Sequence, residues 1–348
     1  MVSFESDYIA GAHPDILRRL AETNLEPLPG YGSDPYCERA KQKIRDCVGL
    51  PEAEVAFLAG GTQTNAVVIS TLLSDWEGVL AAKTGHISSH EAGAIEYTGH
   101  EVLELPQRNG KIDPEDLRAY LSAYFADENH EHMTFPGMVY LSHPTEYGTL
   151  YSKAELEGIA AVCREYGLRL YLDGARLAYA LACPENDVTL PDIARLCDAF
   201  YIGGTKCGAL FGEAVVFPKR DTVPHFFMIV KQHGALLAKG RIAGIQFDTL
   251  FTGNLYCEIG AHAIRLAQIL QQGLRDAGLP LYINSPTNQQ FVELPDTVIR
   301  KLEERGVVYS FWEKTSPGKT VIRFVTSWAT KEETVREVIR ILKDCSGD

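Results

Sequence analysis

A carboxylate and a guanidinium stand close together in the segment LRLYLDGARLAYA, residues 168–180. Asp173 ends a run of apolar residues that predicts a buried strand, and Arg176 follows three residues later. Aspartate at such a position commonly caps the next helix, which would begin at Gly174. The carboxylate would equally provide a fixed negative charge for a ligand, because ligands of open α/β sheets bind at the carboxyl ends of the strands. Both interpretations are open at this point.

A lysine follows a second apolar run, in the segment YIGGTKCGAL, residues 201–210. Lys206 stands among glycines and apolar residues, where a solvated surface lysine is not expected. Low-dielectric surroundings weaken the hold of an amine on its proton, which suits a nucleophile that forms a Schiff base. Alternatively, Lys206 pairs with a phosphate or a carboxylate as a simple cation.

Two glycines and a threonine follow a third apolar run, in the segment FLAGGTQTN, residues 57–65. Gly60 and Gly61 let the backbone approach an anion, and Thr62 opens the next predicted helix, whose free N–H groups are donors. A plain tight turn explains the same pattern. The chain has neither a GxGxxG nor a Walker sequence, which argues against the binding of dinucleotides and nucleoside triphosphates.

The three segments together match the needs of one cofactor, pyridoxal phosphate. This cofactor requires an anion cradle for its phosphate, a lysine for its aldehyde and a carboxylate that keeps its ring nitrogen protonated. The protonated ring accepts the electrons that are left on the α-carbon of an amino-acid substrate. A Gly-Thr turn, Asp173 and Lys206 each follow a predicted strand and provide the three groups. The sequence therefore predicts a pyridoxal-phosphate site and no metal site.

Alternating strand and helix patterns predict the fold that positions these groups. Residues 152–167 have apolar side chains at helical spacing, with Ser152 and Glu155 as a capping box and Gly167 as the stop. Predicted strands stand on both sides of this helix, and the alternation recurs along the chain. It favours an α/β fold with a mainly parallel sheet covered by helices.

The pattern changes after about Gly253. A long amphipathic helix, two predicted strands and a C-terminal helix follow, which is typical of an α+β unit. We therefore expect a large cofactor-binding domain over residues 1–253, with the N-terminal segment, and a smaller C-terminal α+β domain over residues 254–348.

Composition narrows the class of ligand. The net charge of −13 argues against a nucleic-acid binder, and no apolar segment reaches the roughly 18 residues that span a membrane. The N-terminus lacks a basic start and an apolar run, so a signal peptide is not expected. The eight scattered cysteines without a CxxC pair indicate reduced thiols. We expect a cytoplasmic protein with a small-molecule amino-acid substrate, which binds neither nucleic acid nor membranes.

The sequence resembles the L-threonine aldolase and β-eliminating lyase family of pyridoxal-phosphate enzymes over nearly its whole length. The segments that carry the resemblance are ESDYIAGAHPDIL, GYGSDPY, GGTQTN, LDGAR and GGTKCGAL. The resemblance implies fold type I of pyridoxal-phosphate enzymes, that of aspartate aminotransferase, and a homo-oligomer, either a dimer or a tetramer. Thr205, Cys207 and the loop after His143 depart from the family pattern, which leaves the amino-acid substrate open.

The resemblance also implies a role for each of several residues. Those expected to bind the cofactor are Gly61, Thr62 and Gln63 at the phosphate, Lys206 at the aldehyde, Asp173 at the ring nitrogen, His86 stacked on the ring, Arg176 beside the phenolic oxygen, and Arg241 at the phosphate of a neighbouring subunit. Those expected to bind the substrate carboxylate are Ser6, Arg176 and Arg323. His143 is expected near the substrate hydroxyl, and Lys206, His86, His143 and Asp173 are the expected catalytic residues.

Simpler roles remain open for four of these residues and for one histidine pair. His86 would instead bind a metal together with His90 and Glu91. His143 would cap the turn before Pro144. Arg323 would form a strand-end salt bridge, and Arg241 would lie on the surface. His130 and His132 are metal candidates in a polar loop, although a solvated insertion explains them better.

The expected reaction is retro-aldol cleavage of an L-3-hydroxy-α-amino acid, such as threonine or allo-threonine, to glycine and an aldehyde. Arg323 and Arg176 would orient the carboxylate so that the Cα–Cβ bond stands perpendicular to the ring. His143, directly or through a water, would take the hydroxyl proton. Two alternatives stay open: β-elimination from an aromatic or sulfur amino acid, and a non-catalytic protein that binds pyridoxal phosphate or a nucleotide.

Overall fold

A seven-stranded sheet forms the centre of the computed structural model, which describes residues 2–346. The strands of the first two thirds of the chain are β1 (Val2–Ser3), which lies outside this sheet, and β2 (Glu54–Leu58), β3 (Glu77–Ala82), β4 (Val102–Leu105), β5 (Phe135–Ser142), β6 (Arg169–Asp173), β7 (Ala199–Gly203) and β8 (Glu213–Phe217). Their order across the sheet is β2-β8-β7-β6-β5-β3-β4, and only β8 runs antiparallel to the rest.

Helices cover both faces of this sheet. Every residue of β7 and β8 is buried, as expected of strands packed on both faces. Two large apolar clusters lie on opposite faces of the sheet, because neighbouring strand residues such as Phe200 and Tyr201 belong to different clusters. The helices are α1 (Pro14–Glu22), α2 (Pro35–Val48), α3 (Gly61–Leu72), α4 (His86–Ser89), α5 (Ala94–Tyr97), α6 (Pro114–Ala126), α7 (Lys153–Tyr166), α8 (Leu177–Leu181), α9 (Leu190–Leu196), α10 (Phe226–Gln232) and α11 (Arg241–Leu250).

Local signals in the sequence predict several of these elements well. Helix α7 begins after the Ser152 and Glu155 capping box and ends at Gly167, which adopts the left-handed conformation with φ of 73°. The predicted α/β fold with a mainly parallel sheet is confirmed.

A second, smaller sheet lies in the C-terminal third. The elements here are α12 (Leu255–Asp276), β9 (Leu281–Ile283), β10 (Gln289–Pro295), α13 (Asp296–Glu304), β11 (Val307–Val308), β12 (Ser310–Ser316), β13 (Lys319–Val325) and α14 (Glu332–Ser346). The four-stranded antiparallel sheet has the order β12-β13-β10-β9. The N-terminal half of α12 packs in the core of the large sheet, and its C-terminal half packs in the core of the small one. No helix within residues 2–346 has both the length and the apolar character needed to cross a bilayer.

The N-terminal segment lies with the C-terminal part of the chain. Strand β1 pairs in parallel with β11, and Phe4 packs at 6.0 Å from Phe324, ring centre to ring centre. The sequence-based assignment of this segment to the large domain stays a prediction. The division at residue 253 itself stays a prediction.

Candidate active site

A cavity of about 230 Å³ opens at the carboxyl ends of the parallel strands. The strands bring Asp173 from the end of β6, Lys206 from the loop after β7 and Gly61 from the start of α3 to its wall. This is where the strand-end rule for open α/β sheets places a ligand. The cavity-lining residues that sequence reasoning singled out are Gly61, Thr62, His86, Asp173, Arg176 and Lys206.

The Asp173 carboxylate is buried and held by four donors. Oδ1 accepts hydrogen bonds from the Tyr201 hydroxyl at 2.5 Å and the Ala175 N–H at 2.9 Å. Oδ2 accepts from the Tyr140 hydroxyl at 2.6 Å and the Asn65 amide at 3.1 Å. Burial opposes ionisation, but the nearby His86 and these donors outweigh it, so the pKa of Asp173 lies below its ordinary value. Asp173 therefore caps the turn through Ala175 and also presents a fixed negative charge to the cavity.

Lys206 lies on a loop that a second buried carboxylate anchors. The Glu213 carboxylate accepts hydrogen bonds from the Gly204 N–H at 3.0 Å and the Thr205 hydroxyl at 2.7 Å. Thr205, one of the departures from the family pattern, thus ties the loop to β8. Burial lowers the pKa of the Lys206 amine, and the Arg176 guanidinium lowers it further. The lysine environment matches the expectation of a weakly held proton.

The Gly-Gly-Thr segment forms the N-terminus of α3. The helix begins at Gly61 after an extended Gly60, and no side chain caps its first turn. Gly61 and Thr62, the first residues of the helix, line the cavity, so the positive end of the helix dipole lies at the cavity wall. Gln63 does not line this cavity, and its side-chain oxygen accepts a hydrogen bond from the Ala59 N–H at 3.2 Å.

His86 lines the cavity and is oriented by a buried acid. Its Nδ1 lies 2.6 Å from Oε1 of Glu91, which also accepts a hydrogen bond from Asn65 at 2.8 Å. The His86 and His90 rings stack with centroids 5.7 Å apart. In residues 2–346 no three His, Cys, Asp or Glu side chains are grouped to hold a metal ion.

Arg176 is held by an acid from the N-terminal segment. Its Nε lies 2.6 Å from Oδ2 of Asp7, and its second contact, from an Nη to Oδ1, is 3.1 Å long. Ser6 is buried and donates a long hydrogen bond of 3.4 Å to Asp7, but it does not line the cavity. Sequence reasoning missed Asp7 although it is the residue next to Ser6.

Arg323 reaches the site from β13 of the small sheet. It lines a second cavity of about 120 Å³ together with Tyr8, His86, His90, Glu146, Arg176, Lys206 and Trp312. Its guanidinium donates hydrogen bonds to Gln289 at 2.8 Å and Ser310 at 3.2 Å, and it lies over the Trp312 ring. These partners are neutral, unlike those of a strand-end salt bridge. Burial and the neighbouring Arg176 lower the pKa of Arg323 to about 10.

Four residues of the expected set line neither cavity: Ser6 and Gln63, described above, and His143 and Arg241. His143 follows Ser142 at the end of β5, and because successive extended residues point to opposite sides, Ser142 faces the cavity while His143 is buried behind it. Burial lowers the pKa of His143 to about 4. Arg241 donates hydrogen bonds to the backbone oxygens of Glu26 at 2.6 Å and Asn24 at 2.9 Å, which ties α11 to the segment after α1. Its reach to a neighbouring subunit stays a prediction.

Several polar residues of the site were absent from the sequence-based set. They are Asp7, Asn65, Tyr140, Glu146, Tyr201 and Glu213, while Glu91 was considered only as a metal ligand. Period-two alternation on a strand was a usable signal for one of them, because Tyr140 and Ser142 share a face of β5. Tyr201 opens the same YIGGTKCGAL segment as Lys206, and Asn65 ends the GGTQTN segment. Asp7, Glu146 and Glu213 come from other segments, and no local pattern links them to Asp173 or Lys206.

Comparison with known proteins agrees with this geometry. Residues 3–331 match the model of the beta-eliminating lyase family. The chain is 31% identical to a low specificity L-threonine aldolase of Pseudomonas aeruginosa, and the match covers 99% of this chain and 98% of that protein. It is 44% identical to a structure of the Leishmania major threonine aldolase, with a TM-score of 0.96 and coverage of 99% and 100%.

A more distant structural neighbour shows the fold type. The aspartate aminotransferase from Thermus thermophilus superposes with a TM-score of 0.72 at 18% identity, over 99% of this chain and 91% of that one. The predicted aspartate aminotransferase type of fold is therefore confirmed. With a family match over most of its length and relatives above 30% identity, the chain belongs to the beta-eliminating lyase family.

Proposed function

We propose that the protein is a pyridoxal-phosphate-dependent aldolase that cleaves an L-3-hydroxy-α-amino acid, of the threonine or allo-threonine type, to glycine and an aldehyde. The observation that carries the proposal is that Asp173, Lys206 and the N-terminus of α3 line one cavity. The names of the Pseudomonas aeruginosa and Leishmania major relatives support the reaction type.

The donor set at the cavity fits this cofactor. The amine of Lys206 is available for an aldehyde carbon, and the first turn of α3 offers uncapped N–H groups to a phosphate. Asp173 is charged at neutral pH, since its pKa is lowered. Its four acceptor positions already receive four hydrogen bonds, so a ring nitrogen would take the place of one tyrosine hydroxyl or share its acceptor oxygen.

When bound, pyridoxal phosphate provides an electron sink for the bond that breaks at the α-carbon. The residues of the chain decide which bond that is. Arg323 and Arg176 are the cations of the second cavity that face the Lys206 amine, and they would bind the substrate carboxylate. Fixing the carboxylate and the amine fixes the rotation about Cα, which selects the Cα–Cβ bond for cleavage. His86, oriented by Glu91, would cover one face of the ring.

The proposal also covers the oligomeric state and the cellular compartment of the protein. The resemblance implies a homodimer or homotetramer, and the exposed side chains of Phe227 and Met228 on α10 support an apolar contact between subunits. Light scattering of the purified protein measures its oligomeric state.

We propose the cytoplasm as the compartment of the protein, on the sequence grounds given above. Cell fractionation checks this localisation.

The test combines product identification with one substitution. The purified protein with pyridoxal phosphate should convert L-threonine to equal amounts of glycine and acetaldehyde. Lys206→Ala should abolish turnover and also the visible absorption that borohydride removes from the wild type, because no amine remains to hold the aldehyde. Lys206→Arg, which keeps the charge without a suitable amine, should behave in the same way.

Other outcomes point to the alternatives. Release of ammonia and a keto acid from an aromatic or sulfur amino acid, without aldol cleavage, would identify a β-eliminating lyase. A protein that binds the cofactor without converting either substrate class would identify a non-catalytic binder. An active Lys206→Ala variant that retains its yellow colour would contradict the lysine assignment.

A further inference from the structure

Glu146 is the cavity carboxylate whose position neither the fold nor the proposed cofactor accounts for. It lies in the loop after β5, and its side chain lines both the first and the second cavity. Among the described residues, the other carboxylates that line the first cavity do not line the second. They are Glu91, Asp173 and Glu213. Glu146 therefore stands at the junction of the cofactor space and the space around Arg323.

Two donors hold the Glu146 carboxylate through a single oxygen. The Ser142 hydroxyl donates to Oε1 at 2.6 Å, and the backbone N–H of His86 donates to the same atom at 2.9 Å. Both contacts orient the carboxylate, and neither uses Oε2. The described side chains place no cation in ion-pair contact with it, so the charge is not committed to a salt bridge.

The other carboxylates of the site have structural partners. Asp173 receives four hydrogen bonds, and Glu213 receives two that anchor the lysine loop. Glu91 holds the ring of His86 at 2.6 Å. His143, the base expected from the sequence, is buried away from both cavities. A base for the substrate hydroxyl must therefore come from another position.

We propose that Glu146 accepts the proton of the substrate 3-hydroxyl during cleavage, in the place that sequence reasoning assigned to His143. A substrate with its carboxylate at Arg323 and its amine at Lys206 spans the second cavity, and Glu146 lines the same cavity. The free Oε2 is the atom that would take the proton. This inference rests on the proposed function and names one more catalytic residue for it.

The step balances without a co-reactant. Glu146 takes the hydroxyl proton, and the electron pair of the O–H bond becomes the second bond of the aldehyde C=O. The Cα–Cβ bond breaks, and its electron pair stays with the glycine fragment, which then gains one proton at Cα. The cleavage thus releases one proton to Glu146 and consumes one proton at Cα, so the number of protons balances.

The charge environment suits a base that titrates above the usual range of glutamate. Burial raises the pKa of Glu146, while its hydrogen bond with Ser142 lowers it. The titratable and charged groups that share the second cavity with it are Tyr8, His86, His90, Arg176, Lys206 and Arg323, and Asp173 lies beyond Ser142 and Tyr140. The charge of His86 also lowers the pKa of Glu146 and that of Asp173 raises it, so burial remains the dominant effect.

The first experiment replaces the proton acceptor while keeping its shape. Glu146→Gln should lower kcat/KM for L-threonine by about 10²–10⁴-fold, the range for loss of a general base, and mainly through kcat. Glu146→Asp, which can still accept a proton, should recover at least a tenth of the wild-type value. The matched control is Glu104→Gln on β4, an exposed glutamate outside both cavities, which should stay near wild type.

A second readout does not depend on turnover. In the protein without cofactor, infrared difference spectra over an acid titration should show the carbonyl band of a buried protonated carboxyl that Glu146→Gln lacks. Ser142→Ala removes a hydrogen bond that favours the charged form. It should therefore shift this titration, and the acid limb of kcat/KM, to higher pH.

The outcomes separate this inference from the proposed function. A Glu146→Gln variant within threefold of wild type, or one whose residual activity keeps the wild-type acid limb, overturns the role of Glu146 alone. If Glu146→Gln does not fold, an acid limb that Ser142→Ala leaves unshifted overturns it instead. A wild-type protein that fails to cleave L-threonine overturns the proposed function.

Discussion

Asp7 and Arg176 show how one buried ion pair prepares a binding residue. The Asp7 side chain is 0% exposed and the Arg176 side chain 12% exposed, so both charges have left water. Burial would raise the pKa of Asp7, but the Arg176 guanidinium and the Lys206 amine outweigh it and lower the pKa. The pair thereby holds Arg176 at the edge of both cavities.

Asp7→Asn should lower the free energy of unfolding by about 3–5 kcal/mol, because it leaves the Arg176 charge buried without a partner. It should also raise KM for the amino acid, since Arg176 loses its orientation. Denaturant unfolding and steady-state kinetics measure the two effects. Asp15→Asn removes a partly exposed partner of Arg18 and should cost less than about 1 kcal/mol. Equal losses in the two variants would contradict the argument.

The same pair predicts a dependence on pH. The folded pKa of Asp7 lies below its unfolded value of about 3.9, so its contribution to stability is complete above that value. It is lost as the pH falls through the lowered pKa. The free energy of unfolding of the wild type should therefore decrease below about pH 4 more steeply than that of Asp7→Asn. Parallel curves for the two proteins would show that Asp7 does not contribute.

At the scale of elements, the contact between α8 and α12 controls the position of Arg176. Helix α8 begins at the residue after Arg176, and Gly260 of α12 lies against its backbone. A Cβ atom at Gly260 would lie 2.2 Å from the backbone oxygen of Ala178, which is too close for any atom pair that is not bonded. The two helices would have to move apart.

Gly260→Ala should destabilise the protein by at least about 1–3 kcal/mol, the usual cost of overpacking, and it should raise KM because α8 moves. Gly11→Ala is the matched control, since a Cβ there meets nothing within 4 Å and the site is exposed. Thermal unfolding of both variants, with kinetics, tests the contact. A Gly260→Ala protein as stable as Gly11→Ala would show that the helices are not closely packed in solution.

At the scale of the whole molecule, the active site joins segments from both ends of the chain. Phe4 is fully buried, and its N–H donates to the backbone oxygen of Val308 at 2.8 Å. Its own oxygen accepts from the N–H of Val325, at the end of the strand that carries Arg323. Three residues after Phe4, Asp7 reaches Arg176 in the large part of the molecule. The N-terminal segment therefore connects the small sheet to the cavity.

Phe4→Ala should cost about 3–5 kcal/mol of stability, as is typical of deleting a buried phenylalanine. It should also raise KM, because Asp7 and Arg323 both depend on this segment. Phe311→Ala is the control, since Phe311 is 62% exposed on β12. Denaturant unfolding and kinetics of the two variants provide the comparison. Loss of stability with an unchanged KM would separate the N-terminal segment from substrate binding.

The sequence alone determined the features that depend on neighbouring residues. The capping box at Ser152, the stop at Gly167 and the strands that end near Asp173 and Lys206 follow from local conformational preferences and apolar periodicity. These patterns placed the acid and the lysine at strand ends. A parallel sheet brings its strand ends to one edge, so the shared cavity followed from the pattern as well.

Only the tertiary structure decided which side chains complete the site. His143 and Glu146 lie three residues apart, yet the direction of the chain after β5 buries one and presents the other to both cavities. Asp7 meets Arg176 across 169 residues, and no local pattern encodes such a pairing. The physical reason is that side-chain direction at a strand end and contacts between distant segments are set by packing of the whole molecule, which short-range preferences do not contain.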